Sequence, residues 1–160
     1  MTDPSDTRGQ RSLKSRAIAA LARRDYSRAE LARKLATHEP DEQAIAGLLD
    51  ELTQKGFLSD ERFAQATARR LAARYGRARI EQTLGQHQLD RSLVDQALDH
   101  ALAESGSELQ RAHAVWLKRF GQAPTSLSEK ARQFRFLVSR GFSPDTLRRL
   151  EAAGFMPPDE

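Results

Sequence analysis

Apolar residues recur along this chain three and four positions apart, the spacing that places them on one face of an α-helix. Ile45, Leu48, Leu49 and Leu52 show the pattern, which continues through most of the 160 residues. No segment alternates apolar and polar residues with the β-branched and aromatic side chains typical of strands. Alanine, leucine, arginine, glutamate and glutamine are frequent, and all five favour helices. The sequence therefore predicts an all-α protein.

Serine and glycine residues divide the helical pattern into short pieces. Ser59, Ser128 and Ser143 are predicted to cap helix N-termini, because a hydroxyl accepts a hydrogen bond from a free amide there. Gly56 is expected to end a helix in the left-handed conformation. Gly76 is expected to break the long helix that begins near Ser59. The pattern thus indicates many short helices.

The apolar pattern also repeats. Five positions of the first part recur about 49 residues further on. The pairs are Leu31 with Ile80, Leu35 with Leu84, Ile45 with Val94, Leu49 with Leu98, and Leu52 with Ala101. Each unit is predicted to hold a long, a short and a medium helix, so that three tandem three-helix repeats give nine helices. Because each repeat buries its apolar face mainly against its neighbours, we expect an elongated, curved array.

The repeats define the predicted domain boundaries. They are a disordered N-terminal lead-in over residues 1–11, repeats over residues 12–58, 59–105 and 106–156, and a disordered tail over residues 157–160.

Composition narrows the cellular setting. The absence of cysteine excludes disulfides and thiolate chemistry and suits a reducing compartment. No apolar run reaches the length of about 18 residues that a membrane span requires. Residues 1–10 lack the apolar segment of a secretory signal. We therefore expect a cytoplasmic protein with no membrane contact.

Residue patterns for catalysis are missing from the sequence. No two of His38, His87, His100 and His113 have the spacing of a helical metal site. The glycines stand singly at predicted helix ends and form no phosphate-binding loop. The sequence therefore predicts no enzymatic activity, no metal and no cofactor.

The strongest candidate binding site is a basic run from Arg69 to Arg79. It contains no acid, and its five arginines are Arg69, Arg70, Arg74, Arg77 and Arg79. Guanidinium groups match phosphate and carboxylate bidentately, so the run could bind a DNA backbone or an acidic protein groove. The alternative is a solvated face with cations placed favourably near a helix C-terminus.

A second basic cluster lies further along the chain and adds to a net charge of +4. Its candidate binding residues are Lys118, Arg119, Arg132, Arg135 and Arg140. Aromatic residues are interleaved with these cations. Trp116 and Phe134 are predicted to belong to a core, whereas Phe136 falls off the apolar stripe and could serve as a contact anchor.

Three segments carry the signature of a known family. The stretch from Leu21 to Leu35 is similar to a first repeat, Gly56 to Ala64 to the junction opening a second, and Phe136 to Ser143 to a final signature. Each segment alone is generic, but all three at this spacing are specific. The chain resembles the RecX family, bacterial regulators of the RecA recombinase, over residues 12–154. It departs from that family at His38-Glu39-Pro40 and Gln88-Leu89, where a glycine usually closes the middle helix.

The resemblance implies nine helices in three repeats and a cytoplasmic regulatory protein of DNA repair. Such a protein binds RecA recombinase filaments on DNA and inhibits their recombinase, ATPase and co-protease activities. Its expected partners are the RecA filament and single- or double-stranded DNA through phosphate contacts. No catalytic residue is required, because a ligand that prefers one filament state shifts assembly by binding alone.

A direct, largely non-sequence-specific DNA-binding protein built from helix–turn–helix-like units is the alternative. The third helix of a repeat would then enter a DNA groove. Acids at Asp50, Glu51, Asp95 and Asp99 would repel phosphates there, which disfavours reading of base sequence. No heptad pattern indicates self-association, so we expect a monomer.

Overall fold

A computed structural model describes residues 12–159 of the chain. Over that range it contains nine α-helices and no strand, which confirms the prediction of an all-α protein. The helices are α1 Leu13–Leu21, α2 Arg28–Ala36, α3 Glu42–Gln54, α4 Asp60–Ala72, α5 Arg77–Gly85, α6 Arg91–Glu104, α7 Glu108–Arg119, α8 Leu127–Ser139 and α9 Pro144–Ala152. The predicted lead-in over residues 1–11 lies outside the described residues, as does Glu160 of the predicted tail.

Short polar side chains begin most of these helices, as the sequence predicts. Ser143 accepts a hydrogen bond from the Thr146 amide, with Pro144 at the first helical position. The prediction for Ser128 is wrong, because α8 begins at Leu127 and its cap is Ser126, two residues before Ser128. The reason is local. Glu129 donates its amide to Ser126 and accepts hydrogen bonds from the Thr125 amide and hydroxyl, which fixes the start of the helix.

The left-handed conformation after a helix is adopted by different residue types, as two helix ends show. Gly56 follows α3 with φ of +78°, which confirms its predicted role. Gln88 follows α5 with φ of +54°, although it carries a side chain. This is the position where the RecX resemblance leads one to expect glycine. The chain thus keeps the left-handed turn there and accepts a less favourable residue.

The chain forms two compact units, divided within α4. The N-terminal unit comprises the described residues up to Phe63. Its core is formed by α1, α2 and α3 together with Leu58, which follows α3. The buried residues of this core are Ala17, Ala20, Leu31, Leu35, Ile45, Leu49, Leu52 and Leu58. The buried positions of α3 recur at three- and four-residue spacing, so the periodicity read from the sequence is the one that packs this unit.

The C-terminal unit comprises the described residues from Ala64 onward. Helices α5 and α6 pack through Ile80, Leu84, Val94 and Leu98, all of them buried. Helices α7, α8 and α9 enclose a second cluster, whose buried members are Ala112, Trp116, Leu137, Phe142, Leu147, Leu150 and Phe155.

The aromatic predictions for this second cluster meet different outcomes. Trp116 is buried, as predicted, and its Nε1 donates to Gln133 Oε1 at 2.8 Å. Phe134 is only half-buried and packs against the cluster from its edge. Val138, the neighbour of Leu137 in α8, is 51% exposed, because Leu137 takes the inward position.

Candidate basic groove

Two glycines bring the end of α4 against the end of α8. The Gly76 amide donates to the Arg140 carbonyl at 2.8 Å. A Cβ on Gly76 would lie under 3.0 Å from the Gly141 carbonyl group, and a Cβ on Gly141 would meet the backbone of Arg79 equally closely. Gly141 has φ of +89°, whereas Gly76 has an ordinary φ of −78° and stands at the start of α5. Gly76 is therefore required for close backbone approach, and not for a left-handed break.

Buried Arg111 of α7 holds the same junction from inside. Its Nη1 donates to the Tyr75 carbonyl at 2.9 Å and to the Ala72 carbonyl at 3.3 Å, which satisfies the free carbonyl end of α4. Burial lowers the pKa of Arg111, and the nearby carboxylate of Glu108 partly offsets this effect. Arg111 is not among the binding residues predicted from the sequence. Its place four residues before half-buried Val115, on the inward side of α7, was the available signal.

The junction forms one wall of a groove of about 470 Å³, which we call the basic groove. Its long side chains are Arg74, Lys118, Arg119, Phe136 and Arg140. Ala73, Ala114 and Val115 provide a small apolar floor. Arg132 and Phe120 line a second hollow, which shares Arg119 and Phe136 with the groove. One arginine of the predicted basic run, Arg74, therefore meets residues of the second cluster on one surface of the C-terminal unit.

Aromatic rings hold the guanidinium groups of the groove. Arg140 Cζ lies 4.8 Å from the centre of the Phe136 ring and 5.2 Å from that of Tyr75. Arg119 Cζ lies 5.6 Å from the Phe120 ring and 5.8 Å from the Phe136 ring. The two phenylalanine rings meet edge to face, with centres 5.4 Å apart. These cation–π contacts restrict the positions of the two arginine side chains.

The basic groove carries an excess of positive charge. None of its lining residues is acidic. Among the described residues, no carboxylate lies within ion-pair distance of Arg74, Lys118, Arg119 or Arg140. Four cations therefore face one recess with their charge uncompensated by close acids, an arrangement suited to an anionic partner.

The five arginines of the predicted basic run do not line one common recess. Arg74 alone of its five arginines lines the basic groove. Arg69 pairs with Glu104 at 3.2 Å and Arg77 with Asp99 at 2.8 Å, while Arg79 donates to Gln82. The fifth, Arg70, is exposed.

More residues of the second predicted cluster than of the basic run lie at the groove. Lys118, Arg119 and Arg140 line the groove and Arg132 lines its adjoining hollow. Arg135 lies elsewhere, at an apolar recess between α8 and α9 that also includes Val138 and Leu147. Of the ten predicted site residues, four therefore line the groove and one lines the hollow beside it.

Over residues 12–159 no three histidine, aspartate or glutamate side chains come together in a way that could hold a metal ion. In the same range, no helix has both the length and the apolar character that crossing a membrane requires.

Sequence models of one protein family match consecutive parts of the chain. The first three-helix domain of RecX matches residues 14–60, the second matches residues 59–98, and the third matches residues 107–150. The chain belongs to the RecX family. The resemblance stated from the sequence is confirmed, and so is the all-α repeat fold that it implied.

Relatives over nearly the whole chain bear the same family name. The regulatory protein RecX of Leptothrix cholodnii is 47% identical over 146 residues, which cover 91% of each chain. That of Ralstonia nicotianae is 46% identical over 140 residues, covering 87% of this chain and 86% of the relative. This chain is therefore a member of a family of regulatory proteins.

Solved structures of the RecX family share the fold. A crystal structure of a regulatory protein RecX superposes with a TM-score of 0.75 at 21% identity, covering 88% of this chain and 71% of the other. The RecX of Lactobacillus salivarius gives a TM-score of 0.69 at 17% identity, covering 88% and 93%. The helical arrangement is thus kept at low sequence identity.

Proposed function

We propose that this RecX-family chain binds RecA recombinase filaments on DNA and lowers their recombinase, ATPase and co-protease activities, thereby modulating DNA repair. The basic groove is the observation that carries the proposal beyond the family name. A RecA filament on DNA presents phosphates and protein carboxylates, and four cations without close acids match such a surface.

Inhibition by this chain needs no reaction of its own. A protein that binds one state of a filament more tightly than another shifts the assembly equilibrium by the difference in binding free energy. A tenfold preference corresponds to about 1.4 kcal/mol, which a few charged contacts can supply. The proposal therefore assigns binding roles to the groove residues and a catalytic role to none.

The proposed contact residues are Arg74, Lys118, Arg119 and Arg140, with Arg132 beside them. Arg69 and Arg77 are placed outside the primary contact, because each is already paired with a carboxylate. We retain as parts of the proposal a monomeric, cytoplasmic protein and repeats over residues 12–58, 59–105 and 106–156.

Exposed acids on two third helices disfavour reading of base sequence. Asp50 of α3 pairs with Arg28, and Asp99 of α6 pairs with Arg77. The side chains of Asp50 and Asp99 are 70% and 69% exposed, respectively. A helix that enters the major groove passes between two rows of phosphates, which such acids would repel. We therefore place non-specific phosphate contact, and not sequence recognition, within the proposed function.

The test is single-stranded-DNA-dependent ATP hydrolysis by the RecA of the same organism as this chain is titrated in. We expect ATP hydrolysis to fall at amounts well below one chain per recombinase subunit, at a salt concentration where the chain alone barely binds DNA. Inhibition that appears only when the chain covers the DNA, and that extra DNA relieves completely, would instead indicate simple competition and contradict the proposal.

A further inference from the structure

We propose that the basic groove binds the sugar–phosphate backbone of a single DNA strand without base specificity. This inference rests on the proposed function and deepens it, because it names which component of a filament on DNA the groove contacts. It concerns binding by this chain alone and can be tested without the recombinase.

The arginines are positioned to donate toward a phosphate. Arg140 lies against Tyr75 and Phe136, and Arg119 lies against Phe136 and Phe120, all within 6 Å of the ring centres. Because a cation–π contact uses no hydrogen bond, it leaves the guanidinium N–H groups available for a bidentate hydrogen bond. Since the rings restrict the side chains beforehand, less conformational entropy is lost on binding.

A single strand fits the chemistry of the groove better than an acidic peptide does. Sites for single strands combine a cationic groove that follows the backbone with aromatic side chains that contact sugars and bases. Phe136 lines the groove and Phe120 the hollow beside it, and both are half-buried, so part of each ring remains accessible beside the cations. An acidic peptide would use the cations and leave the ring surfaces without a matching partner.

The recessed shape of the groove argues against a duplex. A protein reads or grips duplex DNA with an element that protrudes into a DNA groove about 12 Å wide. Here the cations line the walls of a recess of about 470 Å³ between the end of α4 and helices α7 and α8. A flexible strand can enter that recess, whereas the rigid cylinder of a duplex can touch only its rim.

The binding measurement is fluorescence anisotropy of a labelled oligothymidylate of about 16 nucleotides, followed over a range of salt concentrations. The test variant is Arg74→Ala/Arg119→Ala/Arg140→Ala. The control is Arg69→Ala/Arg77→Ala/Arg148→Ala, which also removes three positive charges from the C-terminal unit. These three arginines form exposed ion pairs with Glu104, Asp99 and Asp145.

The groove variant is expected to bind at least about tenfold more weakly, and its salt slope should fall by about 2, since each phosphate contact contributes about 0.7 for a single strand. The control is expected to stay within about twofold of the wild type in affinity, because its arginines lie outside the groove. Equal losses in the two variants would show that net charge alone drives binding and would overturn the proposal.

Two competitors separate the possible occupants. An unlabelled duplex of the same length is expected to displace the labelled strand at least about tenfold less well than the single strand itself, and so is polyglutamate of matched charge. Displacement by the duplex or by polyglutamate as effective as that by the single strand would overturn the assignment.

The aromatic part of the proposal has its own variant. Phe136→Leu keeps an apolar side chain of similar size but removes the ring that contacts Arg119 and Arg140. It is expected to weaken strand binding severalfold at unchanged helicity, and Phe136→Tyr is expected to restore it. A wild-type affinity for Phe136→Leu would contradict the role of the ring.

The outcomes also distinguish this inference from the function on which it rests. If the groove variant binds DNA as the wild type does, while the wild type still inhibits RecA below one chain per subunit, the inference fails and the proposed function stands. If the wild type binds a single strand through the groove but does not affect RecA, the proposed function fails and the groove assignment stands.

Discussion

Two arginines of the N-terminal unit and two of the basic groove differ in whether a carboxylate pairs with them. In the N-terminal unit Arg24 pairs with Glu30 at 2.7 Å and Arg28 with Asp50 at 2.8 Å. In the basic groove, Arg119 and Arg140 lie against aromatic rings, and no carboxylate is within ion-pair distance among the described residues. These two pairs of arginines therefore differ in the presence of a close acid, although Arg24 Cζ also lies 3.7 Å from the centre of the Tyr26 ring.

We propose from this difference that the partner of an arginine, more than the number of arginines, marks a binding surface. A guanidinium group paired with a carboxylate must exchange that acid for a new anion, so the net gain on binding is small. A guanidinium group on a ring keeps its ring contact while it binds an anion through its edge. The variants below test this contrast, in order of decreasing effect.

The largest effect is expected from Gly76→Ala, which would force the two backbones of the groove junction apart. The new Cβ meets the Gly141 carbonyl, which cannot move aside as a side chain would. We expect the free energy of unfolding to fall by about 3 kcal/mol. Urea denaturation followed by circular dichroism measures this change.

The matched control for Gly76→Ala is Gly47→Ala, in α3 of the N-terminal unit. A Cβ at Gly47 would have open space, so we expect a gain of about 0.5–1 kcal/mol. Equal stability of the two variants would show that the backbone contact at the junction does not exist.

The next effect is expected from Gln133→Leu, which removes the acceptor of the buried Trp116 indole. That bond ties α8 to α7 and so helps position Phe136 and Arg119 across the groove. Leaving the indole N–H buried without a partner should cost about 1–3 kcal/mol. In a Trp116→Phe background the same change should cost clearly less. An identical cost in both backgrounds, measured by urea denaturation, would mean that the hydrogen bond contributes nothing.

The third prediction compares the two sets of arginines directly in RecA inhibition. For Arg74→Ala/Arg119→Ala/Arg140→Ala we expect the half-inhibitory concentration in the ATPase assay to rise at least about tenfold, or about 1.4 kcal/mol. For Arg24→Ala/Arg28→Ala, whose charges are paired in the N-terminal unit, we expect a change within about twofold. The reverse order of effects would place the contact surface on the N-terminal unit.

The smallest effect is expected at low pH, where protonation of Glu51 weakens its ion pairs in the N-terminal unit. Lys14 and Lys55 donate to Glu51 at 2.6 and 2.7 Å and lower the pKa of Glu51 to about 2 from an ordinary 4.5. A carboxyl group with a lowered pKa stabilises the fold above its ordinary pKa, and this contribution is lost as the pH falls from about 4.5 towards 2. The N-terminal unit should therefore lose these ion pairs in that range.

Carbon-13 NMR titration of the Glu51 carboxyl group in the wild type and in Lys55→Met measures this shift, and the variant should titrate at higher pH. Glu129 serves as an internal control, because its pKa is lowered mainly by hydrogen bonds from Thr125 and should not respond to Lys55→Met. Titration of Glu51 at its ordinary pKa in the wild type would remove the acid prediction.

Local features of the fold were predictable from the sequence because their causes lie within a few residues. The turn after Gly56 and the start of α9 at Ser143 and Pro144 depend on neighbouring backbone geometry and on a cap three residues away. The exchange of Ser128 for Ser126 shows the limit of such reasoning. Both serines can cap a helix, and only the hydrogen bonds between Thr125 and Glu129 decide between them.

The groove was predictable only in part, because its causes are distant along the chain. Arg74 and Arg140 were both candidates, but nothing near either of them indicates that Gly76 meets Gly141. The pairing of Arg77 with Asp99 likewise depends on the packing of α5 on α6. The sequence therefore identified the cations, and tertiary contacts determine which of them remain available.

The most direct test of the central claim is the growth of RecA filaments on single-stranded DNA, observed by electron microscopy or by fluorescence of labelled recombinase. With the wild-type chain present at well below one per recombinase subunit, we predict shorter filaments than in its absence. With Arg74→Ala/Arg119→Ala/Arg140→Ala in place of the wild type, we predict filaments as long as those formed without the chain. Filaments of unchanged length and lifetime with the wild-type chain would contradict the central claim.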